Sequence, residues 1–309
     1  MSKSRFKIIS FYKFIRIKEP SALKSSLDHF LKDKLIRGTI ILANEGINAS
    51  ISGRNNDLQI VVETINSLLR NKTLNIKENY VSYLPFNRIK VRLKKEIVAL
   101  GKTKIDVPKY TGKLIPPKDW NKVIKKKNIK LIDTRNNYEF DIGHFKNAIN
   151  PKTKSFREFP KKISQLGVKK SDEIVMYCTG GIRCEKISAF LNKQGYKSIS
   201  QLEGGILNYL EFSKKRKGED AWNGECFVFD NRVTVNKELE AGNYDQCYGC
   251  RHPITRKDKK LKSYKKGVCC KYCIDQRSDQ RKKRSETRQN QIQRAESRGL
   301  NHSFKRILD

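Results

Sequence analysis

The chain has 309 residues, enough for two or three domains with real cores. It carries 67 Lys and Arg against 32 Asp and Glu, a formal net charge of +35 that suits a polyanionic partner, although Lys, Ile and Asn richness of the kind an AT-rich genome gives accounts for part of it. No apolar run is long enough to span a bilayer, which excludes a helical membrane protein and leaves no membrane partner in view.

The opening, MSKSRFKIISFYKFI, alternates apolar and charged residues and reads as a strand, not as the apolar core of a secretory signal. A cytoplasmic protein is therefore expected, with its eight cysteines reduced, catalytic or metal-bound rather than paired. Residues 1–100 read as a small α+β domain. Phe6–Ile15 is its first strand. Ser21 caps a helix with Leu23, Leu27, Phe30 and Leu31 on its apolar face. Gly38–Ala43 and Ile47–Ser52 form a hairpin around Asn44-Glu45-Gly46. Asn55 or Asn56 caps a second helix, with Leu58, Val61, Val62, Ile65, Leu68 and Leu69 inward, and Val91–Leu93 is the last strand. The order βαββαβ gives a ferredoxin-like unit. Glu45 and Asn48 are open to two readings, turn chemistry or function.

Residues 101–116 read as a linker, since Gly112, Pro108 and Pro116 interrupt regular structure. From 117 to 215, strands alternate with helices, the pattern of a parallel sheet covered on both faces. Asp133, Cys178 and Glu203 all fall at expected strand ends, where functional loops of such sheets gather, and so are expected to line one crevice.

Within this segment, IVMYCTGGIRCEKISAFL at 174–191 carries the most chemistry. Ile174–Tyr177 is an apolar strand run; Gly180 and Gly181 let the chain fold sharply with its amides turned inward; Cys184–Leu191 has helical spacing. Cys178 then faces amide donors and a helix N-terminus, with Arg183 as a nearby cation. Each favours the thiolate, which is the nucleophile.

This loop resembles the active-site loop of the rhodanese family. The resemblance implies that Cys178 takes up sulfane sulfur as a persulfide, cradled by Thr179, Gly180, Gly181, Ile182 and Arg183. DTR, GHFKNAIN, CTGGIR and EGG follow the order of a rhodanese domain, with Asn147 where the family usually has glycine; Asn tolerates the left-handed turn. His144 can be read as an acid–base group or as structural, and the segment is structural in rhodaneses. Asp133 and Arg135 read as braces.

Residues 216–275 change character. WNGECFVFDNRVTVN reads as a strand or hairpin with Cys226 in its core. Cys247, Cys250, Cys270 and Cys273 then form two C-x-x-C knuckles, the spacing of a closed, structural four-cysteine zinc site, with Cys269 and His252 as alternative ligands. Arg256, Lys257, Lys259, Lys260, Lys262, Lys265 and Lys266 lie between the knuckles beside Tyr248, Tyr264 and Tyr272, a composition that suits RNA contact. The tail, 276–309, is basic, polar and expected to be flexible, ordering on RNA or remaining a solvated charge run.

The whole set, ANEGINASISG, VRLKKEIVALG, DIGHFKNAINPKTKSFREFP, MYCTGGIRCEK, EGGILNYL, WNGECFVFDNRV and the knuckles, resembles the bacterial tRNA uridine hydroxylase family of TrhO type from about residue 6 to 275. That resemblance implies oxygen-dependent hydroxylation of C5 of the wobble uridine in the tRNA anticodon, with Cys178 catalytic and Cys184 able to resolve its oxidised form as a disulfide. Molecular oxygen is then a co-substrate beside an unidentified reductant, and no obligate protein partner is evident. A persulfide-carrying sulfurtransferase acting on tRNA or a small acceptor is the competing reading; an RNA-binding protein with a relic rhodanese fold is the third. The expected architecture is an α/β multidomain chain: a ferredoxin-like domain, a rhodanese domain with a parallel sheet, and a small Cys-rich module.

Overall fold

The computed structural model describes residues 6–70, 73–102, 104–216 and 220–299. The N-terminal elements are β1 (Phe6–Phe14), α1 (Pro20–Leu31), β2 (Arg37–Ala43), β3 (Gly46–Gly53), α2 (Asn55–Leu68), β4 (Lys77–Val81) and β5 (Ile89–Leu93). They build one five-stranded sheet of order β4-β1-β3-β2-β5, antiparallel except for β5, which runs parallel to β2. The βαββαβ unit is therefore closed by β4, and the strand expected last, at Val91–Leu93, is an added edge. β4 escapes a pattern reading because none of its residues is fully buried.

Both helices bury their apolar faces on this sheet, with Leu23, Leu27, Leu31, Leu58, Val61 and Ile65 in one core with Ile9, Ile40 and Ile51. Two details differ from expectation. Helix α1 begins at Pro20 after Glu19, because proline presets the first helical turn, so Ser21 lies inside it. Helix α2 is preceded by Arg54, and Leu68 is 40% exposed while Leu69 takes the buried place.

The expected linker is structured. It holds α3 (Val107–Tyr110), capped by the Asp106 carboxylate, and β6 (Lys113–Ile115), which supplies the edge of the next sheet. Pro108 sits in the first turn of α3, where it stops nothing. The rest of the second domain is α4 (Pro117–Ile124), β7 (Ile129–Asp133), α5 (Asn137–Phe140), β8 (Gly143–Phe145), α6 (Phe159–Gln165), β9 (Glu173–Tyr177), α7 (Ile182–Lys193), β10 (Ser198–Leu202) and α8 (Gly205–Lys214). β6-β10-β9-β7 form a parallel sheet. Separate cores cover its two faces, one around Trp120, Phe145 and Tyr209, the other around Phe159, Ile163 and Ile187.

The third segment leans on the second. β11 (Trp222–Gly224) pairs with β8; β12 (Cys226–Phe227) pairs with β13 (Thr234–Val235), and β14 (Asp245–Gln246) with β15 (Pro253–Ile254). Cys226 is fully buried, as its strand position implied. The tail is not irregular: Asp279–Ser297 forms α9. Its sequence has no apolar face, yet it docks through polar contacts: Arg277 and its partner Ser285 (2.8 Å), Arg288 to the Gly267 carbonyl (3.3 Å), and Lys265 to Glu286 (2.6 Å). Residues 300–309 of the tail lie outside the described residues.

A candidate cysteine active site at the junction of three segments

Cys178 follows the last residue of β9, and the loop 178–181 turns back into α7. Gly181, at φ 103°, makes that turn in a conformation side chains avoid. Its amide donates to Cys178 Sγ at 3.1 Å. The first amides of α8 fix the other side of the loop: Ile206 N–H donates to the Cys178 carbonyl (2.9 Å) and Leu207 N–H to that of Thr179 (3.1 Å). Gly205 permits this approach, since a Cβ there would stand 2.4 Å from the Cys178 carbonyl oxygen. The EGG motif is thus a backbone requirement of the cysteine loop.

Burial pushes the Cys178 thiol upward, but the Cys184 side chain, the Arg183 guanidinium and the amides of Cys184 and Gly181 outweigh it and hold its pKa at about 5. Cys184 moves the opposite way. Burial and the neighbouring thiolate push it well above the ordinary thiol range, and its sulfur lies 3.3 Å from Thr134 Oγ1. At neutral pH Cys178 is the thiolate and Cys184 the thiol. Arg183 is aimed by a buried bidentate pair with Glu139, at 2.8 and 3.1 Å. Its guanidinium also lies 5.5 Å from the centre of the Phe229 ring.

The N-terminal domain completes the site. Lys77 of β4 donates to the Gly180 carbonyl at 2.7 Å and to the Gly204 carbonyl, bridging the two loops. Burial lowers its pKa to about 8, against the pull of the Cys178 and Glu185 charges. Tyr12 of β1 donates to Glu185 at 2.5 Å, and its hydroxyl lies where a Cβ on Gly181 would stand, 2.7 Å away. At the next position of α7, Lys186 is fully buried between Glu45 (2.7 and 2.8 Å) and Glu96 (2.6 Å), and it also donates to the Val98 carbonyl (3.1 Å). Glu45 and Asn48 are therefore more than turn residues. Glu45 anchors α7 and accepts from the Ile97 amide (2.7 Å), while Asn48 donates to the Ile97 carbonyl (3.0 Å).

Between these parts lies a cavity of about 470 Å³, a size that suits a nucleotide or similar ligand. Tyr12, Asn48 and Lys77 wall it from the first domain, Cys178 and its loop from the second, and Phe229 and Arg232 from the third. Of the expected cradle, Thr179, Gly180, Ile182 and Arg183 line it, while Gly181 holds the sulfur. Asp133 ends β7 and Glu203 follows β10, the two strands flanking β9, but neither lines the cavity. Asp133 instead makes a buried pair with Arg135, whose guanidinium also reaches the Gly143 carbonyl at 2.6 Å, a brace for the domain. His144 is structural as well: its ring stacks on Phe140 at 4.0 Å and its Nδ1 lies 3.0 Å from the Phe140 carbonyl. Asn147 adopts φ 63°, the left-handed turn its residue type allows.

The four knuckle cysteines converge. Their sulfurs all lie within 4.8 Å of one another, with Cys247–Cys273 at 3.9 Å, Cys250–Cys270 at 3.8 Å and Cys270–Cys273 at 4.0 Å. Metal–sulfur bonds of about 2.3 Å in a tetrahedron place ligand sulfurs about 3.8 Å apart. The cluster can hold one metal ion. The two alternative ligands lie outside it. Cys269 has its sulfur 3.5 Å from the Ser263 carbonyl, and the His252 ring stacks on Tyr272 at 3.7 Å. The eight basic residues between the knuckles, Arg251 among them, are all exposed. Lys259 pairs with Asp245 and Lys265 with Glu286.

The parallel sheet and its cysteine loop define a rhodanese-like protein, and residues 117–211 match the family model described as rhodanese-like domain. Residues 6–97 match the model described as UPF0176 acylphosphatase like domain. That pairing is the architecture of the UPF0176 (TrhO) family, with which the chain is consistent throughout these two domains. Among solved structures the chain is similar to a rhodanese-related protein from Thermoplasma volcanium, at 25% identity over 32% of this chain and 92% of that one, with TM-score 0.28. It is also similar to a rhodanese-like domain protein from Staphylococcus aureus, at 21% identity over 36% and 96% of the two chains, TM-score 0.29. A third is an uncharacterized protein from Saccharomyces cerevisiae, at 19% identity over 35% and 98%, TM-score 0.30.

Proposed function

We propose that this protein is a tRNA-modifying oxidoreductase that places a hydroxyl on C5 of the wobble uridine, with Cys178 as nucleophile. The observation that carries the reading is a thiolate with a pKa of about 5 set in the wall of a nucleotide-sized cavity to which all three segments contribute. Thiolate addition to uracil C6 makes C5 electron-rich. Reaction of C5 with dioxygen, delivery of two electrons and two protons from a reductant, and loss of the C5 proton with expulsion of Cys178 give 5-hydroxyuridine and water. The chain's own part is to keep Cys178 ionised, to keep Cys184 as the neighbouring thiol, and to shape the cavity around one base. Cys184 is also placed to resolve an oxidised Cys178.

The exposed cations Arg256, Lys257, Lys260, Lys262 and Lys266 support contact with the anticodon region by neutralising phosphates. Zinc is the ion that a set of four cysteines at these spacings favours. Cys247, Cys250, Cys270 and Cys273 would hold it with no open position, so its role is structural. Among the described residues no helix is long and apolar enough to cross a membrane.

One observation favours a second reading. The Gly181 amide that meets Cys178 Sγ would serve equally to hold a persulfide anion, as sulfur transfer requires. Nucleoside mass spectrometry of tRNA from cells lacking the protein, complemented with wild type or Cys178→Ala, separates the two. Loss of 5-hydroxyuridine-type nucleosides that only wild type restores is the expected result. Unchanged 5-hydroxyuridine with a missing thiolated nucleoside would transfer the assignment to sulfur transfer.

A further inference from the structure

Two Asp-x-Arg segments of this chain fold alike. Arg135 Nε donates to both Asp133 oxygens at 3.0 and 3.1 Å and its Nη2 to one at 2.7 Å; Arg232 does the same to Asp230 at 3.0, 3.2 and 2.7 Å. In both, Nη1 is buried without a hydrogen-bond partner. Their surroundings differ. Arg135 is sealed in the core, its guanidinium 5.2 Å from the centre of the Trp222 ring and 5.7 Å from that of Tyr177, so π faces receive it. Arg232 lines the Cys178 cavity, and among the described residues no ring lies over it. A second donor there is equally unused. Thr179, beside Cys178, lines the same cavity, and its Oγ1 is buried with no partner. The two residues are only 8% and 9% exposed. Buried donors are rarely left unpaired in a folded protein, and two on one cavity point to an acceptor that arrives with the ligand.

We propose that Arg232 and Thr179 form an oxyanion subsite of this cavity, and that its ligand is a phosphodiester of the RNA next to the nucleotide whose base meets Cys178. The proposal rests on the RNA-modifying reading above. A guanidinium edge and a hydroxyl are donors suited to phosphate oxygens, and Phe229, 61% exposed on the cavity wall, offers a face for a neighbouring base. A small sulfur oxyanion would present the same acceptor chemistry, so the test separates the two.

The test uses the full chain in a Cys178→Ser background, alone and with Arg232→Lys or Thr179→Val. Arg232→Lys keeps a cation for Asp230 and removes the free guanidinium edge. Binding of a labelled anticodon stem-loop is followed by anisotropy across a salt series, and binding of inorganic phosphate and thiosulfate by calorimetry. The rate of Cys178 alkylation in Arg232→Lys with Cys178 restored, expected to equal wild type, reports an intact loop. The expected result is stem-loop affinity about tenfold weaker in Arg232→Lys, with a salt slope shallower by about 0.7, the loss of one single-strand phosphate contact. Unchanged affinity and slope in both variants would overturn the subsite. If the stem-loop fails to bind wild type while thiosulfate or phosphate binds only with Arg232 present, the oxyanion site stands and its phosphodiester assignment falls with the RNA reading. If no probe depends on Arg232, the proposal is wrong.

Discussion

Lys186→Met tests whether the first domain holds the reactive helix in place. The Lys186 side chain is fully buried, and its ammonium meets carboxylate oxygens of Glu45 and Glu96 at 2.6 to 2.8 Å. Methionine conserves most of the volume but leaves two carboxylates facing each other without a cation. Removing one partner of a buried ion pair costs about 3–5 kcal/mol. At roughly 2–4 °C per kcal/mol for domains of 150–250 residues, the midpoint of thermal unfolding should fall by roughly 6–20 °C. Scanning calorimetry of the full chain measures it. The triple change Lys186→Met, Glu45→Gln, Glu96→Gln should recover much of the loss, because neutral amides carry no such penalty. The pH dependence has a definite sign. Burial pushes the Glu96 carboxyl up, but its hydrogen bond and charge pairing with Lys186 and the Gly101 and Leu100 amides bring it below its ordinary value. Its contribution is therefore present above the unfolded carboxyl pKa of about 4.3 and is lost as pH falls through the folded value. Wild type should lose part of its advantage over Lys186→Met in that acid range. A fall in midpoint below about 2 °C, under ~1 kcal/mol, would refute the reasoning and show that the carboxylates have found protons or water.

Three further outcomes follow from the site. Iodoacetamide should alkylate Cys178 with a rate that rises through pH of about 5 and is already near its plateau at neutrality; Cys184→Ala, which removes a donor to the thiolate, should move that midpoint upward, and an unmoved midpoint would remove Cys184 from the account. Lys77→Met deletes charge-assisted bonds to two loop carbonyls, each bond to a charged group worth about 1.5–3 kcal/mol, so single-turnover tRNA modification should slow at least about tenfold; full activity would show that the loop keeps its shape unaided. Purified protein should carry one zinc per chain by elemental analysis, with Cys270→Ser losing it and lowering the unfolding midpoint; metal content indifferent to that change would mean the four thiols merely pack.

The parts legible in the sequence were those built from neighbours. The cysteine loop is a strand end, two glycines and a helix start, all within a dozen residues, and each knuckle is a four-residue turn. What stayed hidden depends on chain segments meeting across long separations. Lys77 lies on a strand with no apolar alternation and looked like one more lysine in a lysine-rich chain. Tyr12 read as a strand residue, and the Glu45–Lys186–Glu96 cluster joins three segments whose local patterns are silent about one another. Arg232 did leave a trace, because Asp230-Asn231-Arg232 repeats the Asp133-Thr134-Arg135 pattern. The tail was misjudged for a different reason: α9 docks by side-chain hydrogen bonds, which leave no hydrophobic period to detect.

Because Tyr12, Glu45 and Lys77 precede Cys178 in the chain, they leave the ribosome first. The domain that carries them has its own apolar core and can fold while the rest is still being made. A first domain folded in that order presents the sulfur with a half-site already built. The sulfur's loop closes only when α7 and α8 have followed, so the order of translation covers an oxidation-prone thiolate almost as soon as the surroundings that ionise it exist.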